Sequence, residues 1–169
     1  EEVDEWETVM TIEGDYADFA HLETIYLGIL ARQSRIATNV RRVVKAANGK
    51  PVLFFPARYD IYQTQESDGY AALVGGIHGF STDANALAAG GKGLGTIPHA
   101  LIASYKGDTV AATEAFDKYV DPSIARIALV DFDNDCVNTS LAVARKLGKK
   151  LAGVRLDTSG SMVDKSLWT

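Results

Sequence analysis

A regular spacing of apolar residues near the start of the chain predicts one long helix over residues 19–47. Apolar positions separated by multiples of about 3.6 residues lie on one face of an α-helix. These positions are Leu22, Ile25, Ile29, Ile36, Val40 and Val43 or Val44. Asp18 is expected to cap the start of the helix, and Asn48-Gly49 to end it, because Asp favours the N-cap and Gly the position after the last turn.

Beyond this helix, short apolar runs alternate with segments of helical spacing. The predicted strands are residues 51–55, 77–80, 96–97, 124–131 and 151–157. The predicted helices between them are residues 60–74, 83–89, 99–105, 109–119 and 136–147. This alternation is typical of β-α-β units around a parallel sheet. The sequence therefore predicts an α/β fold, either a doubly wound sheet or part of a (β/α) barrel.

The composition is that of one globular domain of ordinary size. The 169 residues are 47% hydrophobic and 23% charged, with a net charge of −5, which allows a sizeable core. Arg41, Arg42 and Lys45 fall on the solvent face of the predicted long helix, so we expect no nucleic-acid partner. No apolar run approaches the roughly 20 residues of a membrane span, so we expect no membrane partner. The single cysteine, Cys136, cannot form an internal disulfide, which favours a reducing, cytoplasmic setting.

Each predicted strand ends in a cluster of charged or hydroxyl-bearing residues. The five clusters are Ala57-Arg58-Tyr59-Asp60, Ser81-Thr82-Asp83, Pro98-His99, Asp131-Phe132-Asp133-Asn134-Asp135 and Arg155-Leu156-Asp157-Thr158-Ser159-Gly160-Ser161. Because the carboxyl ends of parallel strands meet at one edge of a sheet, ligands bind there. The sequence therefore predicts a polar pocket at this edge.

The residue types in these clusters suit phosphates and sugars. Arg58 and Arg155 present planar donor groups that match a carboxylate or a phosphate. Four carboxylates can hold sugar hydroxyls or a Mg²⁺ that accompanies a diphosphate; they belong to Asp131, Asp133, Asp135 and Asp157. The backbone N–H groups of residues 158–161 can bind an anion. His99 can exchange protons or accept a phosphoryl group.

Structural explanations remain open beside these functional ones. Arg155 and Asp157 can form a simple salt bridge, and His99 can be a core histidine that donates to a carbonyl. A calcium loop starting at Asp131 is excluded, because its sixth position is Cys136 instead of Gly and its twelfth is Ala142 instead of Glu.

Five stretches resemble, in order, the motifs of the nicotinate phosphoribosyltransferases and their nicotinamide- and quinolinate-using relatives. They are LETIYLGILARQSRIAT (22–38), FFPARYD (54–60), GGIHGFSTDANALAAGGKGLGTIPHALI (75–102), LVDFDND (129–135) and GVRLDTSGS (153–161). The specific ones are the Gly-Thr-x-x-His motif ending at His99 and the last stretch, which resembles Gly-Val-Arg-Leu-Asp-Ser-Gly with one residue more. The extra residue leaves open which hydroxyl takes the place of the serine. LVDFDND likewise leaves Asp133 and Asp135 as alternatives.

The resemblance implies an enzyme of NAD biosynthesis built on a partial or irregular (β/α) barrel of the TIM type. Members join nicotinate to 5-phosphoribosyl 1-diphosphate, which forms nicotinate mononucleotide and releases diphosphate. Mg²⁺ accompanies the diphosphate, and many members couple the transfer to ATP hydrolysis through a phosphorylated histidine. That histidine corresponds to His99.

The resemblance also implies further site residues. Arg155 and Asp157 are expected to act in catalysis with His99, beside the base and the ribose. The implied substrate-binding residues are Arg58, Ser81, Thr82, Asp131, Asp133, Ser159 and Gly160. Mg²⁺ is expected near Asp131 and Asp133.

We expect residues 1–169 to be a single barrel segment of a longer protein, because the chain starts at Glu1 without a methionine and ends within the start of a helix. Residues 1–50 form its leading segment and long helix, and residues 51–169 its successive β/α units. The resemblance implies a homo-oligomer whose subunits share active sites.

Two alternatives remain open: a relative that uses nicotinamide or quinolinate, and a non-catalytic module that binds phosphate or a partner chain. Arg58, Arg155 and Lys92 are the candidate partners for a base carboxylate. So few cations favour nicotinate, which carries one carboxylate, over quinolinate, which carries two.

Overall fold

The computed structural model of this chain describes residues 2–168. Two compact units divide the chain, the first extending to Leu94 and the second beginning at Gly95. Each has its own pair of parallel strands. Glu1 and Thr169, the two ends of the predicted single segment, lie outside the described residues.

The first unit is mostly helical. Its helices are α1 (Tyr16–Phe19), α2 (Glu23–Ala46), α3 (Gln65–Val74) and α4 (Asp83–Ala86). The long helix was predicted correctly, but the predicted cap at Asp18 is wrong. Asp15 caps α1 instead, since its Oδ1 accepts a hydrogen bond from Ala17 N at 3.0 Å. After α2 the chain turns at Asn48 and Gly49, which have φ angles of 48° and 82°, as their residue types led us to expect.

A short parallel ladder and an apolar cluster form the centre of the first unit. Strands β1 (Leu53–Phe54) and β2 (Gly79–Phe80) pair with Leu53 opposite Gly79. The buried cluster consists of Val40, Ala72, Ile77, Phe80 and Ala86. Helices α2, α3 and α4 each contribute to it, and so does β2.

Two glycines let the backbones around α3 approach closely. A Cβ atom on Gly75 would lie 2.7 Å from Ala37 O of α2, and one on Gly69 would lie 2.0 Å from Asn85 O of α4. Neither space admits a side chain. The contact of α3 with both neighbouring helices therefore depends on these two glycines.

The second unit contains a β-α-β arrangement preceded by two helices. Its helices are α5 (His99–Ser104), α6 (Thr109–Tyr119) and α7 (Cys136–Leu147). Its strands are β3 (Arg126–Leu129) and β4 (Leu151–Arg155). The two strands are parallel, with Ala128 opposite Val154 and Leu129 opposite Arg155.

Strand β3, which lies within the predicted strand 124–131, belongs to the core of the second unit and packs on both faces. Leu129 belongs to one apolar cluster with Ile97, Ile102 and Ala112. Ala128 and the adjoining Val130 belong to the other, with Val143 and Leu147 of α7. Because successive side chains of a strand point to opposite faces, this strand separates the two clusters.

The structure confirms an α/β fold with parallel strands and flanking helices. Within residues 2–168, four strands form two separate sheets of two strands each. The third of the five predicted strands, at Thr96-Ile97, is wrong: these residues form no ladder, and Ile97 is instead a fully buried core residue. The described helices include none long and apolar enough to cross a membrane.

Arg126 holds together the segment that joins α6 to β3. Its side chain is 7% exposed, and its guanidinium donates to Asp117 Oδ1 at 3.0 Å and to four backbone carbonyls. The carbonyls are those of Asp117, Val120, Asp121 and Ile124. The last carbonyls of a helix lack partners within it, so Arg126 satisfies groups that burial would otherwise leave unpaired. Hydrogen bonds from Lys150 and Arg126 also hold the pKa of Asp117 below its usual range.

We predict that Arg126→Met lowers the free energy of unfolding by about 3 kcal/mol, since removing one partner of a buried charged network leaves the others unsatisfied. Arg145→Met, at an exposed position of α7, is the control and should change it by about 0.5 kcal/mol or less. Urea unfolding of the three proteins measures both effects. Equal losses in the two variants would contradict the structural role of Arg126.

A second buried charge organises the first unit. Asp68 of α3 has a side chain that is 1% exposed, and Arg32 of α2 binds both its oxygens, each at 2.8 Å. The same guanidinium donates from Nη2 to Asp60 Oδ1 at 3.0 Å. The hydrogen bonds from Arg32 lower the pKa of Asp68 and raise that of Arg32 itself.

This pair should make the protein sensitive to acid. Because the pKa of folded Asp68 lies below its unfolded value of about 3.9, the unfolded chain takes up the proton first as the pH falls. The stabilisation is complete above that value and is lost as the pH falls through the folded pKa. Asp68→Asn should therefore lower the unfolding free energy at neutral pH by roughly 2 kcal/mol. The further decrease of the unfolding free energy below about pH 4 should be smaller in this variant than in wild type. Urea unfolding at several pH values tests this, with the exposed Asp18→Asn as control; an unchanged acid limb in the Asp68 variant would contradict it.

Candidate functional site

The second unit brings four of the predicted site residues together at the carboxyl edge of its sheet. Asp131 lies just after β3, Arg155 ends β4, and Asp157 follows two residues later. His99 is the first residue of α5, directly after Pro98. Each lies at or next to the end of a helix or strand, so its side chain can face the sheet edge at which ligands bind.

Asp131 is the buried centre of this group. Its side chain is 1% exposed, and three donors from other segments meet it. His99 Nε2 lies 3.1 Å from Oδ1, while Asp157 N and Thr158 Oγ1 lie 2.6 Å and 3.1 Å from Oδ2. A carboxylate removed from water is tolerated when hydrogen bonds satisfy its charge.

The contact with Asp131 determines how the His99 ring is protonated. A carboxylate oxygen accepts, so Nε2 carries the hydrogen in this contact, and whenever the ring is neutral its lone pair lies on Nδ1. Nδ1 lies 3.9 Å from Asp157 Oδ2, beyond hydrogen-bond distance. The side chain is 41% exposed, and its ring centroid lies 6.3 Å from that of Phe132. With its ring neutral, a partly exposed His99 therefore offers the Nδ1 lone pair, which is the arrangement of a nucleophile or a proton acceptor.

Arg155 and Asp157 do form the salt bridge that the sequence left open. Arg155 Nη2 lies 2.6 Å from Asp157 Oδ2, and Nη1 donates to Thr96 Oγ1. Thr96 belongs to the same Gly-Thr-x-x-His stretch as His99. The pair also lies beside His99. The two residues therefore form a structural salt bridge and are also placed where a ligand could bind.

The segments after β3 and β4 contain both residues with a structural role and residues that are exposed to solvent. Asp135 caps α7, accepting from Asn138 N at 3.4 Å and from its side-chain nitrogen at 3.0 Å, whereas Asp133 is exposed. Of the two alternatives, Asp133 is therefore the one whose carboxylate faces solvent. Ser159 and Gly160 are also exposed, and Ser159 Oγ lies 2.9 Å from Ser161 Oγ within its own turn. Thr158, which sequence reasoning did not single out, bonds Asp131.

The three remaining predicted residues belong to the first unit. Arg58 is exposed in a 3₁₀ turn after β1. Ser81 follows β2, and its Oγ is buried without a hydrogen-bond partner among the described residues. Thr82 caps α4: its Oγ1 accepts from Asn85 N at 3.1 Å and lies 2.8 Å from Gln65 Oε1. The Thr82 hydroxyl is thus engaged within the protein, while that of Ser81 has unused hydrogen-bonding capacity.

The described residues 2–168 contain no group of three or more His, Cys, Asp or Glu side chains placed to hold a metal ion. Both oxygens of Asp131 are already engaged by His99, Asp157 and Thr158. The side chain of Asp131 is 1% exposed and both of its oxygens already accept hydrogen bonds, whereas Asp133 is exposed to solvent.

Cys136 is not an activated thiol. A hydrogen bond with Asp164 raises the pKa of the thiol, which keeps it protonated. The carboxylate that opposes the thiolate is that of Asp164. Asp164 also accepts from Cys136 N at 2.9 Å, and its own pKa is held well below the usual range by hydrogen bonds from Ser166 and Cys136.

Comparison with known proteins shows similarity along nearly all of this chain. It is 31% identical over 159 residues to nicotinate phosphoribosyltransferase pncB1 of Mycobacterium tuberculosis (strain CDC 1551 / Oshkosh), covering 89% of this chain and 34% of the relative. It is 30% identical over 144 residues to pncB2 of the same strain, also a nicotinate phosphoribosyltransferase, covering 81% and 30%. No protein-family profile matches.

A solved structure agrees with these relatives. The crystal structure of nicotinate-nucleotide pyrophosphorylase from Pyrococcus furiosus superposes with a TM-score of 0.82 at 44% sequence identity, covering 88% of this chain and 38% of that one. The chain thus spans about a third of the length of the proteins that it matches. These similarities confirm the family that the five motifs indicated.

Proposed function

This chain belongs to the nicotinate phosphoribosyltransferase family and spans about a third of the length of the relatives that it matches. We propose that the protein forms nicotinate mononucleotide and diphosphate from nicotinate and 5-phosphoribosyl 1-diphosphate. The reaction serves NAD biosynthesis in the cytoplasm and is coupled to ATP hydrolysis. The observation that carries the proposal is the contact between His99 and the buried Asp131, 3.1 Å apart, beside Arg155 and Asp157 at one sheet edge.

His99 is the phosphoryl acceptor in this proposal. The lone pair on Nδ1 attacks the γ-phosphorus of ATP, the bond to the bridging oxygen breaks, and ADP leaves. The ring then carries positive charge while Nε2 keeps its proton, and the carboxylate of Asp131 at 3.1 Å stabilises that charge. Water later attacks the phosphorus, which returns His99 to its neutral form and releases phosphate.

The glycosyl transfer requires little proton movement. The neutral pyridine nitrogen attacks the sugar as the diphosphate leaves, so positive charge develops on the ribose and negative charge on the leaving group. The carboxylate of Asp157 stabilises the positive charge on the ribose, and the guanidinium of Arg155 stabilises the negative charge of the anionic groups beside it. We propose Arg58 and Ser81 as binding residues for the phosphates or the base, since the Ser81 hydroxyl has no hydrogen-bond partner among the described residues.

Thr82, Asp133, Ser159 and Gly160 complete the proposed binding residues. Thr82 acts by holding the start of α4 beside Ser81, since its own hydroxyl is engaged. Mg²⁺ neutralises the diphosphate that it accompanies. We assign it no ligand at Asp131, whose side chain is 1% exposed and already bonded to His99, Asp157 and Thr158.

We further propose that the two parallel strand pairs form part of a (β/α) barrel in the whole protein, and that subunits of a homo-oligomer share the active sites. The TM-score of 0.82 to the Pyrococcus furiosus structure supports a common strand arrangement. Size measurement in solution tests the oligomer.

A product assay tests the proposed reaction. The full-length protein is supplied with 5-phosphoribosyl 1-diphosphate, Mg²⁺ and ATP, with nicotinate, nicotinamide or quinolinate in parallel. We expect mononucleotide from nicotinate alone. Product from another base would replace the proposed substrate, and no product from any base would favour the non-catalytic alternative.

His99→Ala separates the coupling from the transfer. We predict that the variant takes up no acid-labile phosphate from radiolabelled ATP and loses the stimulation by ATP, because the acceptor nitrogen is gone. Transfer without ATP should stay within about tenfold of wild type, since its chemistry is mainly electrostatic. The control is His21→Ala, at an exposed position of the first unit. Retained phosphate uptake in His99→Ala would show that another residue accepts the phosphoryl group.

A further inference from the structure

The hydroxyl of Thr158 occupies a position that the sequence left undecided between three neighbouring residues. The stretch after β4 reads Asp157-Thr158-Ser159-Gly160-Ser161, with hydroxyls on Thr158, Ser159 and Ser161. Ser159 and Ser161 bond each other at 2.9 Å in an exposed turn. Thr158 Oγ1 instead lies 3.1 Å from Asp131 Oδ2, a carboxylate that is 1% exposed.

The two oxygens of Asp131 have different partners. Oδ2 accepts from the backbone N–H of Asp157 and from the hydroxyl of Thr158, whereas Oδ1 accepts from His99 Nε2. Two donors on one oxygen fix the rotation of the carboxylate plane, and this rotation determines where the other oxygen points. Almost no water reaches Asp131 to replace a lost donor, so the Thr158 hydroxyl has no substitute there.

We propose that Thr158 is a positioning residue for His99, acting through Asp131. By holding Oδ2, it keeps Oδ1 aimed at Nε2, which keeps the hydrogen on Nε2 and the lone pair on Nδ1. Thr158 itself need not touch a substrate. The inference rests on the proposed function insofar as His99 accepts phosphate, but the hydrogen-bond arrangement can be measured without any reaction.

Thr158→Val tests the role because it keeps the size and shape of the side chain and removes the hydroxyl. Thr158→Ser restores a hydroxyl and serves as the rescue. The matched control is Thr113→Val, which makes the same change at a buried hydroxyl of the second unit that donates to Thr109 O at 2.7 Å. Ser161→Ala is the local control, since it removes a hydroxyl of the same turn that does not reach Asp131.

The first readout is the protonation of the His99 ring, followed by ¹⁵N NMR of histidine-labelled full-length protein. The sequence has three histidines, and His99→Asn identifies the signal. Wild type and Thr158→Ser should show neutral His99 with its hydrogen on Nε2. Thr158→Val should show a mixture of the two neutral forms, and both controls should match wild type. Wild-type His99 with its hydrogen on Nδ1 would overturn the inference without any variant.

The second readout is the rate of phosphate uptake from radiolabelled ATP, measured for each protein alongside its melting temperature. Thr158→Val should be slower by about tenfold or more, as expected for losing a hydrogen bond to a charged group. Thr158→Ser should recover most of the rate, and Thr113→Val should remain close to wild type. A Thr158→Val protein that matched wild type in ring protonation and phosphate uptake would overturn the inference. If wild type took up no phosphate, the proposed coupling would fail, while the NMR result would still decide the role of Thr158.

Discussion

The burial of Asp131 is the constraint on which the candidate site depends. A carboxylate whose side chain is 1% exposed must find donors inside the protein, because an unpaired buried charge is strongly destabilising. Asp131 obtains them from the start of α5 and from the segment after β4. Those contacts place His99 and Asp157 beside one another, so the requirement for hydrogen bonds assembles the chemistry of the site.

The first unit applies the same principle with a different partner. Asp68 is as deeply buried as Asp131, and Arg32 satisfies it with two hydrogen bonds of 2.8 Å. The guanidinium also reaches Asp60, which follows the turn that carries Arg58. The ion pair therefore ties the long helix α2 to α3 and to a loop that bears a proposed substrate-binding residue. In each unit, a buried aspartate fixes the position of more exposed groups that can bind or react.

In the proposed function, Asp131 acts on His99 through its negative charge. Every oxygen of Asp131 is bound by a protein donor, which leaves its negative charge to act on His99 at 3.1 Å. A cation formed on the imidazole, by protonation or by phosphorylation, is stabilised by that charge. The side chain of His99, which is 41% exposed, remains accessible to a reacting partner.

The sequence by itself determined the alternation of helices and parallel strands, the long helix α2 and the collection of polar residues at strand ends. These follow from local periodicity and from the rule that parallel strands end at one edge. The tertiary structure decided which of those residues work together: Thr158 instead of Ser159 bonds Asp131, Asp135 caps α7 while Asp133 is exposed, and Thr82 caps α4. It also decided that Ile97 fills the core instead of forming a strand. The physical reason is distance along the chain. Asp131 meets His99 and Asp157 across 32 and 26 residues, and hydrogen bonds over such separations depend on how the elements pack, which no local pattern of residues encodes.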